Sequence, residues 1–308
     1  MASLKSRILI GLLRNQHILK GQFKKETMKH NVESVLAFRE NCEKGAARFG
    51  KLPRGVQTQQ ETINMVLSEW IVPDGAPKHK LIFYVHGGGY VSGSCADHRN
   101  IVAKVALQTG YTALLYEYGL APENPFPAAI NDSLNVYKAV LEKGYKAENI
   151  VIMGESAGGG LCLALLLALR NSKTPLPKAA VAIQPWTDLS CSSPSYHSKN
   201  KVSMAPYNCW NVFSHYYIGK NDAKNPYISP LFGDLNGLPP IYINVGENDE
   251  LYDDSIAFYH KAIQAGTKIT LYKGKGMIHC YPLLAPMFRE ATEAMNDIVM
   301  FIKEKLTE

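Results

Sequence analysis

The pattern of apolar and polar positions divides the chain into a helical beginning and a longer region of alternating elements. Up to about residue 50, apolar residues such as Val32, Val35 and Leu36 recur at helical spacing. Over residues 62–71, apolar and polar residues alternate instead, which predicts one exposed strand ending at a turn over 73–75.

Beyond residue 80, continuous apolar runs alternate with segments of helical periodicity. The runs predict strands over 81–85, 111–116, 149–153, 179–183, 241–245 and 268–272. The intervening segments predict helices over 100–109, 128–141, 161–169, 256–264 and 284–302. Such an alternation is typical of an α/β fold with a mostly parallel central sheet, buried on both faces by helices.

One serine lies where a predicted strand turns sharply into a helix, in Gly154-Glu155-Ser156-Ala157-Gly158. A hydroxyl exposed at so tight a turn requires strained dihedrals, and side chains two residues to either side would collide with neighbouring elements. Gly154 and Gly158 remove those side chains. The free N–H groups of the following helix also point toward the place where an oxyanion would develop. The pattern therefore predicts a nucleophilic serine.

A serine hydroxyl needs a histidine to accept its proton and a carboxylate to orient that histidine. His279 is the histidine that follows the last predicted strand, and Asp249 lies just beyond the strand over 241–245. Asp253 and Asp254 are expected to begin the next helix, and Glu250 to point away from Asp249. The carboxylates that compete with Asp249 are Glu247, Glu250, Asp253 and Asp254.

A glycine-rich loop, His86-Gly87-Gly88-Gly89, follows a predicted strand directly. Glycines let backbone amides approach a substrate without obstruction, so Gly87, Gly88 and Ala157 are the predicted oxyanion donors, supported by His86 and Gly89. A phosphate-binding loop is the alternative, but neither of its usual glycine patterns is present.

More than fifty residues separate the strands that end near 183 and begin near 241. Because a connection this long is usually functional, we predict a helical cap built from residues 1–50 and 187–229. The catalytic core would then comprise residues 51–186 and 230–308. Aromatic residues of the inserted segment, together with Tyr90 and Trp186, are candidates for the substrate pocket, with core packing as the alternative.

Composition narrows the partners of the protein. Its 308 residues are 46% hydrophobic and 19% charged, as in ordinary globular enzymes, and the net charge of +6 comes mostly from dispersed lysines, so no nucleic acid partner is expected. The six cysteines show neither paired nor metal-ligand spacing, which predicts reduced thiols, no metal and a cytoplasmic location. The oligomeric state stays open, and a homo-oligomer is possible.

The first residues resemble the start of a secretion signal, with Lys5 and Arg7 placed near an apolar run over 8–13. Arg14 ends that run below the length of about 7–15 residues that a signal core needs, so an amphipathic helix is predicted. No stretch approaches the roughly 20 apolar residues of a membrane span, and no stable membrane insertion is expected.

A set of motifs between residues 60 and 305 resembles, in order, the hormone-sensitive lipase-like esterases (bacterial family IV) of the α/β-hydrolase fold. The motifs are His86-Gly87-Gly88-Gly89-Tyr90, Tyr118-Gly119-Leu120-Ala121-Pro122-Glu123, Gly154-Glu155-Ser156-Ala157-Gly158-Gly159, Pro185-Trp186-Thr187-Asp188-Leu189, Asp249-Glu250-Leu251 and Gly276-Met277-Ile278-His279. The resemblance implies a serine carboxylesterase with Ser156, Asp249 and His279 as its triad. It also implies a cap partly made by the N-terminal residues, small esters with short to medium acyl chains as substrates, and no cofactor.

The chain departs from the family pattern at three positions. Gly119 stands where arginine is usual and removes a possible ion pair with Glu123. Glu250 replaces a common proline beside the catalytic acid, and Cys280 replaces a glycine beside the histidine, which places a thiol near the site.

Three other functions remain open at this point. Amide or formamide hydrolysis would use the same triad and oxyanion hole. A small-molecule receptor on a hydrolase scaffold would not need all three triad residues. A lipase acting at membrane surfaces is suggested by the basic, apolar helix predicted near residue 10.

Overall fold

The architecture comes from a computed structural model, which describes residues 2–15, 25–46 and 52–307. Its strands are β1 (Val56–Ile63), β2 (Val66–Pro73), β3 (Leu81–Val85), β4 (Thr112–Tyr116), β5 (Ile150–Glu155), β6 (Ala179–Ile183), β7 (Ile241–Gly246) and β8 (Ile269–Gly274). The α-helices of these residues are α1 (Leu4–Arg14), α2 (Val32–Ala46), α3 (Cys95–Thr109), α4 (Ala128–Glu142), α5 (Ala157–Asn171), α6 (Ser195–Ser198), α7 (Cys209–Ile218), α8 (Tyr252–Gln264) and α9 (Arg289–Thr307). Residues 1, 16–24 and 47–50 of the predicted cap lie outside the described residues.

The eight strands form one sheet in the order β1-β2-β4-β3-β5-β6-β7-β8. β2 pairs antiparallel with both β1 and β4, and the remaining neighbours are parallel, which confirms the predicted mostly parallel sheet. The strand order reverses between β3 and β5, which are adjacent. Ligands of open α/β sheets bind beyond the carboxyl ends of strands at such a reversal.

The single strand predicted over 62–71 is wrong, because these residues form part of the β1–β2 hairpin. Asn64 and Met65 make the two-residue turn, with φ values of 47° and 69°. Two consecutive positive φ angles match the twist of a tight hairpin. The alternation of residue types continues through the turn, so the pattern alone does not show where the strand ends.

Helices cover both faces of the sheet, and each face has its own apolar core. One core contains the buried residues of α4, α5 and α8, and the other contains those of α3 and α9. β3, β4, β5 and β6 are buried along their whole length, which explains their continuous apolar sequences.

The two described helices that precede the sheet occupy different places. α1 packs against α9, where the hydroxyl groups of Ser3 and Ser6 donate to the Glu290 carboxylate at 3.0 and 3.2 Å. α2 lies against the inserted segment instead, with the rings of Phe38 and Phe213 centred 4.9 Å apart. In the described part of the chain, we find no helix with the length and apolarity to cross a bilayer.

Candidate active site

Ser156 lies at a tight turn between β5 and α5, with φ at 55°. A non-glycine residue in this region is strained, and such strain persists where surrounding contacts hold it. The Ser156 N–H donates to the Ile183 carbonyl at 2.9 Å. A Cβ on Gly158 would come within 2.2 Å of the Val85 carbonyl oxygen, and one on Gly154 within 2.4 Å of the Gly158 carbonyl oxygen. Backbone atoms therefore exclude side chains at both glycines, as the sequence predicts.

Asp249 and His279 are joined by a hydrogen bond of 2.9 Å between the carboxylate Oδ2 and the ring Nδ1. Asp249 is fully buried beyond β7, and its Oδ1 accepts the Leu251 N–H at 2.9 Å. Burial opposes the charged form of His279, but the Asp249 carboxylate and the neighbouring Cys280 sulfur together outweigh it and raise the histidine pKa well above its ordinary value. The imidazole is therefore oriented and made more basic by this partner.

Ser156 and His279 line the same cavity, which has a volume of about 550 Å³. Within the described residues, no hydrogen bond connects the Ser156 hydroxyl to the imidazole. Catalytic hydrogen bonds are often long before substrate binds, so the shared cavity is the relevant observation. The structure brings all three predicted triad residues to one site.

The competing carboxylates make other contacts. Glu250 accepts hydrogen bonds of 2.8 Å from Trp210 Nε1 and from Asn200 Nδ2. Glu247 accepts the Gly276 N–H at 3.0 Å. The remaining two, Asp253 and Asp254, lie in the first turn of α8. Asp249 is thus the acid of this group that contacts the histidine.

One residue of the loop after β3, Gly87, already has an acceptor in this structure. Its N–H donates to the Glu155 carboxylate at 2.7 Å, and its role as an oxyanion donor stays a prediction. The N–H groups of Gly88 and Gly89 have no acceptor within the described residues. Both glycines have positive φ, at 112° and 67°, which turns the loop at this point. Ala157 opens α5, where the first N–H groups lack intrahelical partners.

His86 supports this loop through contacts of its ring and of its backbone carbonyl. Its ring is buried and stacks on Tyr118 with centroids 4.1 Å apart, while the Tyr118 hydroxyl donates to the His86 carbonyl at 2.8 Å. Burial, aided by nearby His98, lowers the pKa of His86 to about 3. His86 is therefore neutral and holds the loop in place.

A second histidine–carboxylate pair in the cavity, Glu155 with His98, was not predicted. Glu155 Oε1 lies 3.0 Å from His98 Nε2, and both side chains line the cavity. Burial disfavours the imidazolium, yet the Glu155 carboxylate raises the pKa of His98 above its ordinary value. Glu155 directly precedes the predicted nucleophile in the sequence, and that position could have indicated that its side chain lies in the site. His98 reaches the site because α3 packs against β2 and β4, which no local pattern indicates.

Aromatic and sulfur-containing side chains form much of the cavity wall. Phe38 of α2 lines the cavity together with Trp210 and Phe213 of α7, as expected for aromatic residues of the inserted segment. Three thiols also line the cavity, those of Cys42, Cys209 and Cys280.

Of the two alternatives for Tyr90 and Trp186, the structure favours core packing over a place in the pocket lining. Both side chains are fully buried and neither reaches the cavity. Tyr90 stacks on Tyr217 with centroids 3.7 Å apart, and Trp186 packs edge-on against Trp210 at 5.0 Å. They support the cavity wall from behind because α7 inserts its own aromatic residues in front of them.

Over residues 2–15, 25–46 and 52–307, no group of three or more His, Cys, Asp and Glu side chains is arranged to hold a metal ion.

Comparisons with known proteins identify the family of the chain. A family model described as the alpha/beta hydrolase fold matches residues 82–283. The acetyl-hydrolase of Streptomyces hygroscopicus is 35% identical over 247 residues, which cover 79% of this chain and 81% of that protein.

Solved structures agree with that assignment. The esterase EstE5, in a crystal soaked with p-nitrophenyl butyrate, is 35% identical and covers 100% of both chains with a TM-score of 0.90. An esterase from the bacterial hormone-sensitive lipase family is 32% identical, covers 99% of both chains and has a TM-score of 0.89. The chain therefore belongs to the α/β-hydrolase family, among the hormone-sensitive lipase-like esterases, and is a carboxylic ester hydrolase.

Proposed function

We propose that Ser156, His279 and Asp249 form the catalytic triad of this esterase and that it acts through an acyl-enzyme. The observation that carries this proposal is the Asp249–His279 hydrogen bond, which lies beside the cavity that holds the strained Ser156. A carboxylate paired with the far ring nitrogen fixes the tautomer in which Nε2 can accept a proton.

The reaction proceeds in two halves. His279 Nε2 takes the Ser156 proton as Oγ attacks the ester carbonyl carbon, and the resulting tetrahedral oxyanion meets backbone N–H donors. His279 then gives that proton to the departing alcohol oxygen, leaving an acyl group on Ser156. In the second half a water molecule attacks the acyl carbon and His279 again accepts and returns the proton, which releases the acid.

The oxyanion donors that we propose are the N–H groups of Gly88, Gly89 and Ala157. Gly88 and Gly89 have no other acceptor among the described contacts, and Ala157 follows the nucleophile at the start of α5. One such donor is worth on the order of 3 kcal/mol of barrier. The Gly87–Glu155 bond supports the loop in this role by fixing its first residue.

We further propose short- to medium-chain acyl groups as the preferred substrates. The cavity of about 550 Å³ is bounded by Phe38, Trp210 and Phe213, which would limit the length of an extended chain. The butyrate ester soaked into EstE5 is of this size class. The contact between α2 and α7 supports a cap built from two separate segments, and the six free cysteines support a cytoplasmic location.

A series of p-nitrophenyl esters of increasing acyl length tests the proposal. We expect kcat/KM to be highest for the shorter esters and Ser156→Ala to reduce kcat by more than about 10⁴-fold. Ser172→Ala, a matched change at the exposed end of α5, should leave kcat unchanged.

A fluorophosphonate probe tests the nucleophile separately. It should label the wild-type protein but not Ser156→Ala. Absence of labelling in the wild type would contradict the triad and favour a receptor. Faster turnover of matched amides than of esters would overturn the proposed substrate class.

A further inference from the structure

Helix α1 is anchored to the protein by one face. Ser6 and Ile10 are its buried residues, and Leu9 and Leu13 pack beside them against the core that contains α9. Successive side chains of an α-helix turn by about 100°, so residues four apart share one face. The side of α1 opposite Ser6 and Ile10 therefore carries Leu4, Ile8 and Leu12.

That opposite side is an apolar stripe open to solvent. Leu4 is 71% exposed, Ile8 57% and Leu12 49%. Three large apolar residues in one row are unusual on a free surface, where such residues are normally scattered.

Cations flank the stripe on both sides. Lys5 lies along one edge, while Arg7 and Arg14 lie along the other, and α1 contains no acidic residue. Arg7 and Arg14 also line a cavity of about 410 Å³ together with Lys275. Among the described residues, the Arg14 Nε is buried there without a hydrogen-bond acceptor, and none of these three cations forms an ion pair with a carboxylate. Within the described part of the chain, this cavity therefore presents unpaired positive charge.

We propose that α1 docks the protein on an anionic lipid surface. The stripe of Leu4, Ile8 and Leu12 would enter the boundary between headgroups and acyl chains, and the flanking cations would contact lipid phosphates. The charge pattern argues against a second copy of this chain as the occupant. In a twofold dimer, the stripe and cations of one copy would pack against the same stripe and cations of the other copy, so that like charges would face each other.

The docking helix lies beside the loops that carry the acid and the histidine. Asn248, which precedes Asp249, lines the cationic cavity together with Gly276, and its Nδ2 donates to the Gly276 carbonyl at 3.0 Å. A protein docked through α1 would hold these loops close to the lipid surface. The docking is separate from the proposed ester chemistry, because binding can be measured without turnover.

Sedimentation of the full-length protein with vesicles tests the proposal. We expect binding to vesicles of phosphatidylcholine mixed with phosphatidylglycerol and much weaker binding to phosphatidylcholine alone. Ile8→Asp should weaken the binding by about tenfold or more. The double variant Lys5→Gln/Arg7→Gln should weaken it by roughly thirtyfold, since each surface cation contributes a factor of roughly five.

Matched controls are Met300→Ser, which alters an exposed apolar residue of α9, and Lys138→Gln, which alters an exposed cation of α4. Both should bind as the wild type does. Ser156→Ala should also bind normally, so a failed triad and a failed docking surface give different results.

Three outcomes would overturn the proposal. The first is no binding to anionic vesicles. The second is equal binding to neutral and anionic vesicles that Lys5→Gln/Arg7→Gln does not change. The third is a smaller particle for Ile8→Asp in size-exclusion chromatography without vesicle binding by the wild type, which would assign the stripe to a second copy of the chain.

Discussion

His279 shows how one contact sets the chemistry of a side chain. Its pKa is raised because the Asp249 carboxylate, together with the neighbouring Cys280 sulfur, stabilises the imidazolium more than burial disfavours it. A protonated imidazole cannot accept the serine proton. The same contact that makes His279 a stronger base therefore also moves its working range to higher pH.

We expect the acidic limb of the kcat/KM profile to lie above the ordinary histidine pKa of about 6.5. Asp249→Asn should lower kcat by roughly 10⁴-fold and move the limb of the residual activity to lower pH, because the stabilising charge is gone. Steady-state kinetics over a pH series measures both effects. An unchanged limb in the variant would mean that another group sets it.

Cys280 places a thiol in the cavity next to the histidine. Its side chain is only 8% exposed, and burial raises its pKa, so reaction with thiol reagents should be slow. We expect a bulky maleimide to remove most of the activity by crowding His279. Cys280→Gly suits the local φ of 49° and should resist the reagent.

The matched variants Cys42→Ala and Cys209→Ala should stay sensitive to the maleimide, although their thiols line the same cavity. Activity remaining after a fixed exposure time measures the effect. Equal inhibition of Cys280→Gly and the wild type would assign the loss to a different cysteine.

At the scale of elements, Glu250 connects the acid loop to α7. Its carboxylate accepts the Trp210 ring N–H at 2.8 Å, and Trp210 lies 5.7 Å from His279 between ring centroids. Proline, usual at this position in the family, has no side chain able to make that bond. The cavity wall is thus held by a residue that departs from the family pattern.

We expect Glu250→Gln to raise KM for the longer esters by roughly tenfold with a smaller change in kcat, because a charge-assisted bond to the wall is weakened. Trp210→Phe removes the N–H and keeps an aromatic ring. A double-mutant cycle on kcat/KM should give a coupling energy of about 1 kcal/mol. Additive effects of the two substitutions would contradict the connection.

A second connection between elements is the ion pair between Arg39 and Glu123, which replaces the pair that an arginine at position 119 would make. Glu123 has no arginine at position 119, but Arg39 of α2 donates to both of its carboxylate oxygens, at 2.8 and 2.9 Å. Arg39 also donates to the carbonyls of Val91 and Ala121. This contact fixes α2 beside the loop after β3.

At the scale of the whole molecule, a buried carboxyl ties the inserted segment to the core. Asp254 of α8 accepts hydrogen bonds from Ser193 and Tyr196 at 2.6 and 2.8 Å. Burial, with a smaller contribution from nearby Asp188, raises its pKa from 3.8 to about 7. The folded protein therefore keeps this proton over a pH range in which the unfolded chain has lost it.

This difference predicts that the free energy of unfolding falls as pH rises from about 4 to about 7, by on the order of 4 kcal/mol from this group. Asp254→Asn cannot ionise and should flatten the decline, while Asp253→Asn on the same helix should not. Urea unfolding at several pH values measures the free energies. An equal slope in Asp254→Asn and the wild type would contradict the assignment.

The sequence by itself determined the strands β3 to β8, the helices that cover them and the turn at Ser156. These features depend on local periodicity and on glycines at positions where a Cβ would collide with the backbone. Both can be recognised from residues that are close together in the sequence. The predicted Asp249–His279 partnership also follows from chain order, since both residues come after parallel strands whose carboxyl ends share one edge.

Only the tertiary structure decided which groups face the cavity. The partner of the Gly87 amide, the approach of His98 to Glu155, and the burial of Tyr90 and Trp186 behind α7 all depend on contacts between distant segments. The apolar stripe of α1 likewise became a surface only when α9 covered the other side of the helix. Periodicity predicts that a helix has two different faces, but tertiary packing determines which face is exposed to solvent.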